Sequence, residues 1–579
     1  MNPASCRHPQ PCLNHHLHQE YDRLCVLRQL AYQLVGDQPC SPGNTQRTVL
    51  AMVKARVSLA FTTLVSEPPP GTIAYSHDLV SVIIASFNVC MAVWDASMKP
   101  GNAILAPMMR ALWPHIVDWA AFFHPARRRI IDLYDQRDMG HEVGAIAQAY
   151  LTILESEDHT SLKIFLHAHP DLVTQALQLW LRFPSYIPTT ARKSEMYTTD
   201  VTATAYGTIR AVVYLRNILL QDGTTPQDNA LFLHALQLAN VTGRTVYRAI
   251  APQTNFLLTA TVQSPSAPSA WTNHFCLLSL LLRRPELAGS PKSLRNVIPL
   301  VIAGGNRCIT LREAQGASWA IQLVADICRI GTDNRPLVRA VRGGIFELLR
   351  AVASLPELYD VSDMVTQLCA GMTQARILRA FRLRRPPHVD FDAPKEHLYT
   401  WMDVAQKYEW HQDVYNLGNR KDWRYAMSCH NHQGPHDNDV RICPCGDAFY
   451  CSGSCQRMDW NEAHREFCRA DDGPWGLHGA LSLEDVVFIC QVVRVHIAYV
   501  RKHEQITPRI SSPPTRACSA EQTLITVDLT DVLPMPRHVV TTRIKADGAG
   551  TFAVEAIARL GGVVRRCPLP FVYSAGHFD

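Results

Sequence analysis

Six cysteine and four histidine residues crowd into the forty positions from Cys429 to Cys468, and eight of these ten are predicted to bind metal. Their side chains carry the sulfur and nitrogen atoms that zinc prefers, and a structural zinc site takes four such ligands in a closed tetrahedron. Eight ligands therefore predict two closed sites, with no coordination position left for a reactive water. The candidate ligands are Cys429, Cys443, Cys445, Cys451, Cys455, His464 and Cys468, together with one of the histidines that follow Cys429.

The spacing within this cluster also indicates metal binding. Cys451 and Cys455 are four residues apart, as are His464 and Cys468, so each pair projects from one face if the stretch is helical. The cysteines outside the cluster stand singly in the sequence, many of them in apolar segments, which is typical of buried free thiols in a reducing compartment. The sequence therefore predicts an intracellular protein, in the nucleus or the cytoplasm.

The motifs of the cluster resemble a MYND-type zinc finger. The resemblance rests on Cys443-Pro444-Cys445-Gly446, Phe449-Tyr450-Cys451-Ser452, Cys455-Gln456 and Asp459-Trp460. In that family the ligand pairs interleave, the first with the third and the second with the fourth. The resemblance implies that one zinc ion is bound by Cys429, His432, Cys451 and Cys455, and a second by Cys443, Cys445, His464 and Cys468.

Two departures from the family pattern leave alternatives open. The family usually has two residues inside the second ligand pair, whereas this chain has only Pro444, so the sequence does not decide whether both Cys443 and Cys445 bind zinc. A cysteine is commoner at the position of His432. The neighbouring residues His430 and His436 are alternatives for that ligand.

MYND fingers bind proline-containing peptides in a shallow groove, and the resemblance implies that Gln456 and Trp460 line such a groove here. These two residues are one helical turn apart. The alternative is that Trp460 fills the core of a very small domain, which needs every large side chain for its interior.

Helical periodicity dominates the chain from about Tyr21 to Ala380. Apolar stripes at helical spacing run from Val143 to Leu154 and from Val338 to Val352, and they predict amphipathic helices in succession. Gly304-Gly305 and Gly343-Gly344 are predicted to be turns between helices. Thr310 with Glu313 predicts a capping box. The succession of helices predicts a mainly α fold, either an irregular α-solenoid of armadillo or HEAT type or a helical bundle, since no fixed repeat period is found.

The sequence after the finger predicts a small α+β tail. A helix is expected from Leu483 to about Lys502, followed by a Pro/Ser-rich linker, and the run from Val539 to Ile557 is broken by Asp547-Gly548, which suggests a hairpin. The predicted organisation is a disordered His-rich N-terminus (1–20), a helical array (21–396), an aromatic lead-in whose tryptophans pack the finger onto the helices (397–428), the finger (429–468), a helix (469–504), a linker (505–522) and a β-rich tail (523–579).

Composition and charge exclude several classes of partner. The net charge of +5 is slight for 579 residues and the basic clusters are short, so no nucleic-acid footprint is visible. The polar N-terminus lacks the apolar core of a secretory signal. The apolar run from Leu79 to Trp94 is shorter than the ~20 residues that a membrane span needs, so a buried helix is predicted and no membrane partner is expected.

These features predict a non-enzymatic interaction scaffold or adaptor whose finger binds a peptide on a partner protein. The alternative is a relative of the SET-type lysine methyltransferases, because some MYND proteins insert the finger into a SET domain. That alternative is disfavoured because the Asn-His-Ser-Cys stretch that follows the finger in those enzymes is not found here. The layout of helical body, late finger and short tail resembles the MYND proteins of mushroom-forming fungi.

Overall fold

The fold was analysed in a computed structural model of the full chain. It describes residues 15–35, 42–55, 60–131, 140–155, 158–187, 198–221, 225–260, 267–287, 296–355, 359–384, 395–418, 429–434, 436, 441–443, 448–468, 483–504, 520–530, 536–546, 551–568 and 573–574. The chain divides into two compact units, Met1–Leu278 and Ser279–Asp579.

The described residues of the first unit form helices and one short parallel pair of strands, β1 (Ile73–Ala74) and β2 (Ile130–Ile131). Its helices are α1 His15–Val35, α2 Pro42–Lys54, α3 Thr62–Val65, α4 His77–Ser97, α5 Ala106–Arg110, α6 Trp113–Phe123, α7 Gly140–Glu155, α8 His159–Ala168, α9 Pro170–Tyr186, α10 Thr198–Leu220, α11 Pro226–Leu238, α12 Gly243–Ala260 and α13 Ala267–Leu282, the last of which runs across the boundary. The predicted stripe from Val143 to Leu154 is the buried face of α7.

Helix α4 is the most apolar long helix in the described part of the chain. By length and composition it is able to cross a membrane, but 67% of its most apolar window is buried inside the protein. Its N-terminus is capped by Ser76, whose hydroxyl accepts a hydrogen bond of 3.4 Å from the amide of Leu79.

The second unit continues the helical series and then adds the finger and a sheet. Its helices outside the finger are α14 Val297–Thr310, α15 Ala314–Ile330, α16 Arg335–Gly343, α17 Ile345–Ala353, α18 Ser362–Gly371, α19 Ala375–Arg384, α20 Lys395–Gly418 and α23 Leu483–Glu504. The finger contributes strands β3 Arg441–Ile442 and β4 Phe449–Tyr450 and helices α21 Gly453–Asp459 and α22 Arg465–Phe467, with a π-helical turn at Trp460–His464 between these helices. The prediction of a mainly α fold with a finger and a small tail is confirmed.

Two local predictions in this unit were wrong and one was confirmed. Gly343-Gly344 forms the predicted turn between helices, since Gly344 adopts a left-handed conformation (φ +94°) between α16 and α17, whereas Gly304-Gly305 lies inside α14 and forms no turn. Thr310 does not begin a helix but ends α14, where its hydroxyl donates to the carbonyl of Asn306 at 3.1 Å. Glu313, its expected partner, is the residue before α15 and receives no side-chain capping bond.

The tail forms a mixed sheet in the strand order β6-β5-β7-β8, with β9 also pairing with β7. The strands are β5 Ala520–Asp528, β6 Arg537–Ala546, β7 Thr551–Leu560, β8 Val563–Pro568 and β9 Tyr573–Ser574. The expected hairpin between β6 and β7 is wrong, because β5 lies between them and pairs antiparallel with β6 and parallel with β7. Asp547-Gly548 lies outside the described residues.

One buried cluster joins the helices, the finger and the sheet of the second unit. It contains Leu378 of α19, Val414 of α20, Phe449 of the finger, Ile489 of α23 and Val527 of β5. Each of these side chains is at most 2% exposed. The finger therefore shares its packing with the elements on either side of it in sequence.

Candidate metal centre

The finger contains a short antiparallel hairpin of β3 and β4. Ile442 of β3 is paired with Phe449 of β4, and the amide of Cys443 donates a hydrogen bond of 2.9 Å to the carbonyl of Ala448, which closes the connecting loop. The amide of His430 donates to the carbonyl of Phe449 at 2.8 Å. These bonds bring the first part of the cluster, which contains Cys429, alongside β4.

The first group of metal-binding atoms comes from Cys429, His436, Cys451 and Cys455, and all four lie within 4.8 Å of one another. The sulfurs of Cys451 and Cys455 are 3.6 Å apart, and Nδ1 of His436 is 3.4 Å from the Cys451 sulfur. Zinc bonds of about 2.3 Å to sulfur and about 2.0 Å to nitrogen give tetrahedron edges of roughly 3.5 to 3.8 Å. The donor set and its spacing therefore fit one zinc ion.

Helix capping positions the two cysteines of this group that come from the β4–α21 junction. Ser452 is the N-cap of α21, and its hydroxyl accepts a hydrogen bond of 3.0 Å from the amide of Cys455. Cys451 precedes the cap, so the pair does not lie on one helical face as the spacing suggested. The cap instead folds Cys451 back over the first turn, where Cys455 is fully buried.

The structure joins His436 to this group, whereas the family resemblance placed His432 there. A tight turn explains the difference. The Asn431 side chain accepts from the amide of Gln433 at 3.1 Å and donates to the carbonyl of Gly434 at 3.3 Å, and Gly434 has a left-handed φ of +75°. The chain reverses here, which leaves His432 exposed on the turn and brings His436 to Cys451.

The third alternative, His430, belongs to neither group of metal-binding atoms among the described residues. Its ring lies 6.1 Å from the ring of His464 and 6.4 Å from that of Tyr450, measured between centroids. His430 therefore packs beside the second group without joining it.

The second group comes from Cys443, His464 and Cys468, whose ligand atoms also lie within 4.8 Å of one another. The sulfurs of Cys443 and Cys468 are 3.6 Å apart, which again matches the edge of a zinc tetrahedron. Cys445, the predicted fourth ligand, lies outside the described residues. In sequence, Cys443 lies between His436 and Cys451 of the first group, whereas His464 and Cys468 follow the whole first group. The two groups therefore interleave along the chain.

Local structure fixes the positions of the three ligands of the second group, Cys443, His464 and Cys468. The π-helical turn at Trp460–His464 ends on His464, which is 7% exposed, and π-helical turns often occur at functional sites. Cys468 caps the end of α22. Cys443 is 2% exposed at the mouth of the hairpin loop.

The thiols of the first group have perturbed pKa values. Burial raises the pKa of Cys429 to about 11. Burial also acts to raise the pKa of Cys455, but hydrogen bonds from Ser452, Cys451 and Asn431 outweigh it, so that the pKa of this thiol is lowered overall. Zinc binds the thiolate form, and a bound dication would compensate the negative charge that gathers when several thiols ionise together.

The buried core of the finger does not include Trp460. Its members are Cys443, Ala448, Tyr450 and Cys455, and the Tyr450 hydroxyl donates a hydrogen bond of 2.6 Å to a carboxylate oxygen of Asp459. Trp460 is 39% exposed, with its ring 6.0 Å from that of His464. Gln456 is half-buried on the preceding turn. Of the two interpretations of Trp460, the one that places it in the core therefore does not describe this structure.

The aromatic lead-in was expected to pack the finger onto the helices. Trp410 of α20 is partly buried against the cluster that contains Phe449. The side chains of Trp401 and Trp423 lie outside the described residues. One tryptophan of the three therefore packs as expected.

Comparison with known proteins agrees with this geometry. A family model described as the MYND finger matches residues 427–468, the stretch that contains both groups of metal-binding atoms. The match supports a MYND-type zinc finger in this segment, and MYND fingers are protein-interaction modules. No curated protein and no solved structure matches the chain. The resemblance of the whole layout to fungal MYND proteins therefore stays a prediction.

Proposed function

We propose that this protein is a non-enzymatic, intracellular adaptor whose finger binds two zinc ions and recognises a proline-containing peptide on a partner protein. The zinc ions would be held by Cys429, His436, Cys451 and Cys455 in one site, and by Cys443, Cys445, His464 and Cys468 in the other. Sites with four protein ligands are closed, so zinc would serve here to fix the fold of the finger.

The exposure of Trp460 is the observation that carries this proposal. A very small domain gains most by burying its largest side chains, yet here the buried aromatic position belongs to Tyr450. Trp460 stays 39% exposed, and Phe467, one residue before Cys468, is 75% exposed. Aromatic side chains held on a rigid surface supply contact area to a partner at low entropic cost.

Gln456 adds a polar group on the same helix. Its backbone amide is bonded to the Ser452 carbonyl at 3.1 Å, which fixes its position on α21. No described residue forms a hydrogen bond with its side-chain amide, which is therefore available to the backbone carbonyls of an extended peptide. Proline-containing segments are favoured ligands for such surfaces because their extended conformation is already formed before binding.

The test measures zinc content and peptide affinity on the same preparations. Gln456→Ala removes no zinc ligand, so we expect two zinc ions per chain and a loss of about 2 kcal/mol in affinity for a proline-containing peptide. Gln433→Ala changes an exposed glutamine on the turn that contains Asn431, so it is the matched control and should leave both unchanged. Retained zinc with undiminished peptide binding in Gln456→Ala would exclude the groove.

The methyltransferase alternative has a separate test. The described elements after the finger are the helix α23 and the mixed sheet, to which we assign a structural role and no catalytic site. Calorimetric titration with S-adenosylmethionine should then give no binding heat. Stoichiometric binding would replace the adaptor proposal with an enzymatic one.

A further inference from the structure

The first unit contains a cavity of about 400 Å³ between α1, the N-terminal half of α4 and the first turn of α7. Its volume falls near the lower end of the range for small-molecule sites, roughly 300 to 1,000 Å³. The cavity is far in sequence from the finger and takes no part in the function proposed above.

The floor of the cavity is apolar and one wall is polar. Leu24 of α1 and Val80 and Ile84 of α4 are each at most 5% exposed and form the apolar floor. The half-buried stripe of α4 beside them carries Ser81 and Asn88, one helical turn on either side of Ala85. A ligand that fits this surface needs an apolar body with a polar end.

Arg28 gives the polar end its charge. Its guanidinium stacks over the Tyr32 ring at 5.5 Å, and its Nε and Nη2 each donate to the Tyr32 hydroxyl at 3.3 Å. No carboxylate of a described residue forms an ion pair with it, so its charge is not neutralised within the described part of the chain. Arg28 is an exposed residue of the cavity lining, so the fixed side chain contributes a full positive charge to that wall.

The remaining polar residues of the lining favour an anion over a cation. Tyr21, Tyr75, His77 and His141 can all donate hydrogen bonds. The acidic residue of the wall, Glu142, is 6% exposed and already interacts within the protein. A bound cation would therefore be repelled by Arg28, and no exposed carboxylate of the lining would offset this repulsion.

We propose that this cavity binds a small amphiphilic monoanion, with its apolar body against Leu24, Val80 and Ile84 and its carboxylate or similar group at Arg28. Aromatic or branched aliphatic bodies fit the volume. This class of ligand would make the helical region a binding domain in its own right.

The test uses two fluorescent probes with the same aromatic body. Anilinonaphthalene sulfonate carries one negative charge, and phenylnaphthylamine carries none. Arg28→Gln should lower the affinity for the sulfonate about tenfold, as expected for the loss of one charge-assisted contact, and should leave the affinity for the neutral probe unchanged. Ala85→Phe fills the cavity and should weaken both probes, and Ser81→Leu makes the same test at a half-buried position if Ala85→Phe disturbs folding.

Arg47→Gln is the matched control, because Arg47 is an exposed arginine on α2 outside the cavity lining. It should leave both affinities unchanged. Equal effects of Arg28→Gln and Arg47→Gln would show a response to net charge and overturn the proposal. If Ala85→Phe and Ser81→Leu leave the binding of both probes unchanged, the probes bind outside the cavity and the proposal is also wrong.

Discussion

The amide of Gly562 donates a hydrogen bond of 3.0 Å to the carbonyl of Gly331, the residue that follows α15. Asn334 secures the same contact by accepting from the amide of Gly561 at 2.6 Å and donating to the carbonyl of Arg559 at 3.3 Å. The turn between β7 and β8 therefore docks backbone to backbone onto the end of a helix. Only residues without side chains permit this approach.

Replacing Gly562 should destabilise the protein. A Cβ atom at this position would lie 1.8 Å from the carbonyl oxygen of Arg329, so Gly562→Ala must push the sheet away from α15. We expect a loss of about 2 to 3 kcal/mol, measured as a lower midpoint in urea unfolding. Gly43→Ala in α2 is the control, since nothing lies within 4 Å of its added Cβ, and it should be neutral or slightly stabilising.

The ion pair between Arg376 and Asp485 should contribute far more to the free energy of unfolding than the neighbouring, exposed ion pair between Arg379 and Glu484. Asp485 is fully buried and accepts from the Arg376 amide at 3.1 Å and from its Nε at 2.6 Å, which ties α19 to α23. Asp485→Asn removes the charge that compensates Arg376 and should cost about 3 kcal/mol in thermal or urea unfolding. Glu484→Gln breaks the ion pair between Glu484 and Arg379, whose side chains are 42% and 50% exposed, respectively. This change should lower the free energy of unfolding by less than about 1 kcal/mol. Similar losses in both variants would contradict this assignment.

Zinc content should distinguish His436 from His432. His436→Ala removes an atom that lies 3.4 Å from the Cys451 sulfur, so this variant should bind fewer zinc ions per chain by mass spectrometry. His432→Ala changes an exposed residue of the turn and should keep the zinc content of the parent. Cys451→Ala and Cys468→Ala should each lose metal and unfold the finger. If His432→Ala loses zinc and His436→Ala retains it, the ligand set implied by the family resemblance is the correct one.

Buried histidines should make the stability depend on pH. Burial lowers the pKa of His274 to about 3, against an ordinary value of about 6.5 in the unfolded chain. Between these values the unfolded chain binds a proton that the folded chain does not, so the free energy of unfolding falls as the pH decreases from about 6.5 toward about 3.

The variant His274→Phe isolates this effect. It loses the hydrogen bond to Thr254, so its stability at neutral pH will differ, but the decline from pH 7 to pH 5 should be smaller than that of the parent by roughly 2 kcal/mol. Both proteins carry the same finger, so any loss of zinc cancels in the difference. A decline equal to that of the parent would mean that His274 is protonated in the folded protein.

Local patterns in the sequence were sufficient to predict the helical character of the chain and the residue types that supply the metal-binding atoms. Val143 to Leu154 lies on one buried face because helical spacing is a property of neighbouring residues. Cys451 and Cys455 share one group and His464 and Cys468 share the other, as their four-residue spacing predicted. The assignment of Cys443 to the second group was implied by the family resemblance.

The features that could not be predicted depend on single backbone conformations or on distant pairing. The choice of His436 follows from the left-handed Gly434 and the Asn431 side chain, which reverse the chain only in combination. Gly304-Gly305 has the composition of a turn, yet it continues α14, where Gly305 allows the Leu348 side chain to pack closely against the helix. The position of β5 between β6 and β7 is a non-local pairing that no short pattern encodes.

The place of Phe449 in the packing has a consequence for excision and grafting of the finger. In sequence the finger is a cassette of about forty residues, yet the strand that carries Phe449 is fitted into a pocket made by helices from both flanks and by the terminal sheet. A fragment cut at its boundaries would expose that aromatic ring to water. Transplantation into another protein would need a host that supplies a matching apolar socket, so this finger is exchangeable only together with its surroundings.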